Sequence, residues 1–209
     1  MFIEKSVSDF LDALASREPV PGGGSGAALG GALAAALISM VCNLTIGKKT
    51  YEHAQETMAD LLKRSEALRG ELEGLLEADT QVYGKVMAAH RQPRKTPEQR
   101  RAREAAMQSA LKEAAEVPLS IAERCARIVD LALPAAQLGN QWAVTDAGAG
   151  VLLAEASMKA ALLNVYINLS GIKDERYTQS TLARIATITS GKDETRERVL
   201  EIVRDRIGT

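Results

Sequence analysis

Apolar residues recur along this chain at intervals of three and four, the spacing of one helix face, and no segment alternates as a half-buried strand would. A stripe of Met58, Leu61, Ser65, Leu68, Leu72, Leu75, Asp79, Val82 and Val86 predicts a long helix from about Tyr51 to Ala88 and sets one carboxylate, Asp79, in a core-facing position. Before it, Ser6 to Ser16 reads as a short amphipathic helix with Val7, Phe10, Leu11 and Leu14 inward. After it, His90 to Thr96 breaks the pattern at Pro93, and Thr96-Pro97-Glu98-Gln99 is a capping box with proline in the first helical position. The helix it opens runs to Val117; Pro118 kinks it or starts another reaching about Leu133, and Pro134 with Gly139 marks a loop. From Asn140 to Leu169 a second stripe, Val144, Gly148, Val151, Glu155, Met158, Leu162, Val165 and Leu169, is apolar with one exception. Asp146, Ser157, Asn164 and Asn168 lie among alanines on another face, so this helix is expected to be buried on most sides. Ser170-Gly171 stops it, and helices near Glu175–Thr189 and Lys192–Ile207 follow, the last with Val199, Ile202, Val203 and Ile207 inward.

The stretch from Pro19 to Gly47 carries no charged residue and is followed at once by Lys48 and Lys49. Three consecutive glycines, Ser25 as a helix cap and then an Ala/Leu/Gly run predict a tight loop feeding a buried helix. The stretch is long enough to cross a bilayer. Its Gly, Ala, Ser, Asn and Thr content makes it weakly hydrophobic, however, and no aromatic residue anchors either end, so no membrane partner is expected. Small side chains let neighbouring helices approach closely. Such a helix start also aims free N–H groups forward, which in addition to that packing makes Gly22, Gly23, Gly24 and Ser25 candidates for an anion cradle or a close approach of backbone to a ligand. The pattern as a whole predicts an all-α chain, one domain over residues 1–209, built as a helical bundle with long antiparallel helices.

Composition narrows the function classes. A net charge of −1 and 3% aromatic residues give no basic patch and few stacking surfaces, so nucleic acid is not an expected partner. Cys42 and Cys125 lie in apolar surroundings without a CxxC pair and read as buried thiols in a reducing compartment. The N-terminal segment lacks secretory organisation, and a cytoplasmic location is expected.

A carboxylate in an apolar stripe must be paired, hydrogen-bonded, hydrated or protonated, so Asp79 is either a satisfied structural acid or a catalytic one. Tyr83 lies four residues on, on the same side, where carboxylate and phenol can face one cavity. Asp146, near the start of another helix, is a cap or first-turn acid, or a ligand group exposed by Gly148 and Gly150. Asn43 and Asn164, like Asn168, need partners on apolar helices. Lys48, Lys49 and Arg91, with Arg94 and Lys95, are the counter-charges available to a carboxylate-bearing ligand. His53 and His90 lack ligand spacing for zinc, and the glycines lack the GK[ST] of a nucleotide loop.

Taken in succession, PVPGGGSGAALGGALAAAL, LTIGKKTYE, ADTQVYGKVM, the VPL at residues 117 to 119 and TDAGAGVLLAEASMKAALLNVYINL resemble the cyclodeaminase/cyclohydrolase family. That family occurs as the second half of formiminotransferase-cyclodeaminase and as free-standing methenyltetrahydrofolate cyclohydrolases. The resemblance implies an all-helical homodimer acting on a one-carbon unit carried by tetrahydrofolate, with no metal or redox cofactor. The Gly22–Ser25 loop, Lys48, Asp79, Tyr83, Asn140 and Asp146 match the family's recognisable positions, while Trp142 and Val82 depart from its usual Asn and Ala. The implied roles are Asp79 as base with Tyr83 orienting it, and Asp146 as a second base or a pterin partner. The glycine loop with Lys48, Lys49 or Arg91 would receive the glutamate tail. The activity implied is cyclohydrolase, with cyclodeaminase as the alternative; a catalytically silent helical scaffold, in which Asp79 and Tyr83 satisfy each other, is the reading from another class.

Overall fold

The computed structural model describes residues 1–208. It is all-α: α1 (Val7–Leu14), α2 (Gly23–Asn43), α3 (Gln55–His90), α4 (Pro97–Leu138), α5 (Val144–Leu169), α6 (Glu175–Thr189) and α7 (Lys192–Ile207), with short 3-10 turns at Phe2–Glu4, Lys49–Ala54 and Gln141–Ala143. Helix α2 lies against α3, α4 and α5, and α4 also packs on α3 and α5, so the uncharged stretch is the central helix of the bundle. Its small residues are what let it sit there. A Cβ at Gly31 would stand 2.7 Å from the Cys125 Sγ of α4, and one at Gly30 would collide with the Ser157 hydroxyl of α5. Contact partners descend along α5 as they rise along α2: Gly23 lies by Asn164, Gly30 by Ser157 and Ile38 by Gly150. Burial pushes the thiols of Cys42 and Cys125 up to about 11 and about 12, so both stay protonated.

Helix α4 corrects the expectation of a new helix after Pro118 and of a loop at Pro134. It runs unbroken through both Pro118 and Pro134 to Leu138. Proline has no N–H, so Pro118 leaves the carbonyl of Ala114, four residues earlier, without its helix donor. The side chain of Asn168 on α5 supplies one: its Nδ2 donates to Ala114 O at 2.9 Å and to Asn164 O at 2.8 Å. A proline in mid-helix is tolerated here because a neighbouring helix satisfies the orphaned carbonyl. The capping box at Thr96 forms as expected, with Gln99 N donating to Thr96 Oγ1 and Thr96 N to Gln99 Oε1, both at 3.3 Å.

Three expected faces also differ. On α1 only Phe10 is buried, while Val7, Leu11 and Leu14 are exposed, since the helix rests on the bundle by one contact point. On α7 Val199 is buried and Ile202 and Val203 pack on the core, but Ile207 is half exposed at the end. Helix α5 buries its whole expected stripe; Arg196 and Lys159 pair Glu155, the exception in it, and tie α7 to α5. Its opposite side is open, however: Leu163 and Ile167 are each 69% exposed, and on α2 Leu33 is 53% exposed. By length and composition α2 and Gln141–Leu169 could each cross a membrane, yet the most apolar windows of these helices are 61% and 50% buried inside the bundle.

Candidate active site

A cleft of about 350 Å³ opens where the start of α2 meets the middle of α3 and α4 and the end of α5. Its polar lining is Asp79, Tyr83, Asn164 and Asn168, and Val82, Val86, Pro118 and Ile167 form its apolar walls. Asp79 sits where the α3 stripe leaves the core: Leu72 and Leu76 are buried, and one turn later the same face reaches the cleft. The buried position before it is therefore Leu76, with Leu75 only packed against the core.

Helix α2 holds the Asp79 carboxylate. Gly22 is the N-cap, and Ser25, expected there, is instead the third residue of the helix and fully buried. Its hydroxyl donates to Asp79 Oδ2 at 2.8 Å. A Cβ on Gly24 would fall on Asp79 Oδ1 and within 2.8 Å of Oδ2, so this glycine is needed for the acid to come so close. The anion at this helix start is thus the protein's own Asp79, in the place where a ligand anion was expected. Burial raises the Asp79 pKa above the ordinary carboxylate value, against the Ser25 hydroxyl and backbone N–H, which lower it.

The remaining lining groups are partly committed. Both Asn168 amide protons go to carbonyls, which leaves Oδ1 as its free group; Asn164 Nδ2 donates to Ala160 O at 3.0 Å, leaving Oδ1 and one N–H. Tyr83 is 37% exposed and has no hydrogen bond to Asp79 among the described residues. Among the described residues the cleft offers one carboxyl group, a phenol, amide acceptors and apolar walls, and no cation lines it.

The other sequence candidates, Arg91 excepted, collect at the opposite end of α2. Across its 21 residues that is about 30 Å away. Asn140 is buried and its side chain is used internally: Nδ2 donates to Leu44 O at 3.0 Å, and Oδ1 accepts from Trp142 N at 3.1 Å and Tyr51 OH at 3.4 Å. It shapes the turn into α5, and one N–H of its amide is left without a partner among the described residues. Lys48 and Lys49 lie beyond the end of α2, separated from it by a turn that closes at Gly47 with φ +80°; both are exposed. Asn43 is exposed on the last turn of α2, and Asp146 is half-buried in the first turn of α5. Arg91 is the exposed C-cap of α3 and does not line the cleft. Ile167 and Ala114, which do, escaped the sequence reading. The spacing of Asn164 and Asn168, four apart, was the available signal for the α5 wall.

Residues 6–187 match the family model described as formiminotransferase-cyclodeaminase. A methenyltetrahydrofolate cyclohydrolase from Methylorubrum extorquens is 40% identical over 203 residues, covering 97% of this chain and 98% of that protein. A formimidoyltransferase-cyclodeaminase from Rattus norvegicus is 33% identical over 89% of this chain, which spans only 34% of that longer protein. The crystal structure of a formiminotetrahydrofolate cyclodeaminase from Thermotoga maritima superposes with a TM-score of 0.90 at 28% identity, covering 99% of this chain and all of that one.

Proposed function

The chain belongs to the formiminotransferase-cyclodeaminase family, and from that premise we propose that it hydrolyses 5,10-methenyltetrahydrofolate to 10-formyltetrahydrofolate. The observation that carries the reading is the half-buried Asp79, held by Ser25 in a cleft with room for a planar ring. In support, the methenyltetrahydrofolate cyclohydrolase matches this chain from end to end, whereas the two-activity relatives match over a third of their length.

The methenyl bridge is an amidinium cation, and a carboxylate beside it is electrostatically favoured over water. A water molecule attacks the bridging carbon while Asp79 accepts its proton. The adduct then collapses: the bond from carbon to N5 breaks, N5 takes up a proton, the hydroxyl becomes the formyl carbonyl on N10, and one proton is released overall. Ser25 is a positioning residue, fixing the carboxylate through Oδ2. The Oδ1 atoms of Asn164 and Asn168 are acceptors for N–H groups at the pterin edge. The scaffold reading required Tyr83 to satisfy Asp79, and no such bond is present among the described residues.

The full-length likeness to a cyclodeaminase favours a second reading, in which N10 attacks the formimino carbon on N5 and ammonia leaves. Assaying the purified protein for methenyl hydrolysis and for ammonia release separates the two. Hydrolysis without ammonia is expected; ammonia release without hydrolysis would reverse the assignment. We further propose that the bundle's long helices run antiparallel and that two chains pair as a homodimer through the open side of α2 and α5, where Leu33, Met40, Leu163 and Ile167 stand exposed.

A further inference from the structure

The cleft holds one acid and no cation, yet a folate carries carboxylates beyond its aromatic ring. Cations stand just past the cleft, at the end of α3 and the start of α4. Between Asp79 and Arg103 the chain has seven lysines and arginines against one carboxylate, Glu98. Lys85 pairs with Glu113, and the other six have no carboxylate partner among the described residues. A solvated tip accounts for most of them, but Arg103 is held in place. Its Nε donates to the His90 carbonyl at 3.0 Å, reaching from α4 to the end of α3. The two terminal NH₂ groups have no partner among the described residues, and they are the pair that a carboxylate takes as a fork.

We propose that Arg103, with His90 beside it, is the subsite for the glutamate carboxylates of the folate, and that the furrow between α3 and α4 leads to it from Asp79. The proposal rests on the folate reading above. Helix periodicity places the subsite. On α3 the line of Asp79, Tyr83 and Val86, which faces the cleft, continues at steps of three and four to His90. On α4 the line of Pro118 and Ala114 continues through Ala110 and Met107 to Arg103. Arg91 follows His90 but falls about 100° round the helix, off this line. The lengths agree as well. Asp79 to His90 is about 16 Å along α3. Ordinary bond lengths put the first carboxylate of an extended folate about 10 Å from its one-carbon bridge, and an arginine side chain spans about 6 Å. With the bridge at Asp79, the aromatic ring lies at the height of Val86 and Met107, both half-buried. Lys48 and Lys49, expected to serve the tail, belong to the far end of α2, about 30 Å from the cleft.

Binding of two stable ligands tests it: 5-formyltetrahydrofolate, and the same compound without its glutamate, 5-formyltetrahydropteroate. Wild-type protein should bind the first about tenfold more tightly or better, as a charged fork provides. In Arg103→Ala the two should bind alike. Arg103→Lys keeps the charge but loses the fork, so most of the preference should go there too. In turnover, Arg103→Ala should raise KM with kcat little changed, because the carboxylates stay away from the reacting carbon. Arg101→Ala, on the opposite face of α4, should keep the full preference. A preference unchanged in either Arg103 variant, or lost instead in Lys48→Ala/Lys49→Ala, overturns the subsite while wild-type turnover leaves the folate reading standing. Wild-type protein that binds neither compound and hydrolyses no methenyltetrahydrofolate rejects that reading, and the subsite with it.

Discussion

Burial and hydrogen bonding pull Asp79 in opposite directions, and burial dominates. Its folded pKa lies above the unfolded value, so the folded chain holds the proton more tightly than the unfolded chain does. The stabilisation this brings is complete below the unfolded pKa and is lost as pH rises through the folded one; at pH 7 the ionised acid is a net burden on the fold. Asp79→Asn removes that burden and the base together. Turnover should fall by about 10²–10⁴-fold, and melting curves should put the variant level with wild type near pH 4 and no lower at pH 7. The same shift places the acid limb of the pH–rate profile of the wild-type enzyme above the ordinary carboxylate range; a limb at or below it would show that Asp79 is not the titrating group. Gly24→Ala pushes directly on both carboxylate oxygens, so kcat should drop with far-UV dichroism unchanged. The acid was legible in the sequence as a break in an apolar stripe. Its partner was not, because a serine three residues into a glycine-rich helix looks like a cap until the fold brings Asp79 to it from 54 residues away.

At the scale of the element, helix α4 and the α5 asparagine depend on one another. Removing the Asn168 side chain leaves the Ala114 carbonyl without a donor, and Asn168→Ala should lower unfolding free energy by about 1–3 kcal/mol in urea titration. Pro118→Ala restores the amide that the helix lacks, so the double variant should recover part of that loss; strictly additive effects would mean that the two residues are not coupled. Local rules predicted a kink or a new helix at Pro118 and a loop from Pro134 because they weigh the missing N–H without knowing what stands opposite. The capping box at Thr96, which needs only residues within one turn, formed as read.

For the whole molecule, the open face of α2 and α5 is where the proposed homodimer can be tested. If two chains pair through this face and turnover depends on the pair, turnover per chain should decline on dilution in step with the loss of dimer by sedimentation, and Leu163→Glu should abolish the dimer while leaving the Asp79 cleft intact. A rate strictly proportional to protein concentration across the dissociation range would exclude that coupling. The sequence by itself determined the all-α class, the central uncharged helix, the buried stripe of α5 and the family, because helical periodicity, end signals and the order of motifs are local properties written along the chain. Only the tertiary structure decided that Asp79 fills the anion seat of α2, that the Asn140 side chain bonds within the chain, and that most of the candidate residues gather at one or the other end of α2. Those are distances between residues far apart in sequence, and they are set by which small side chains let which helices touch.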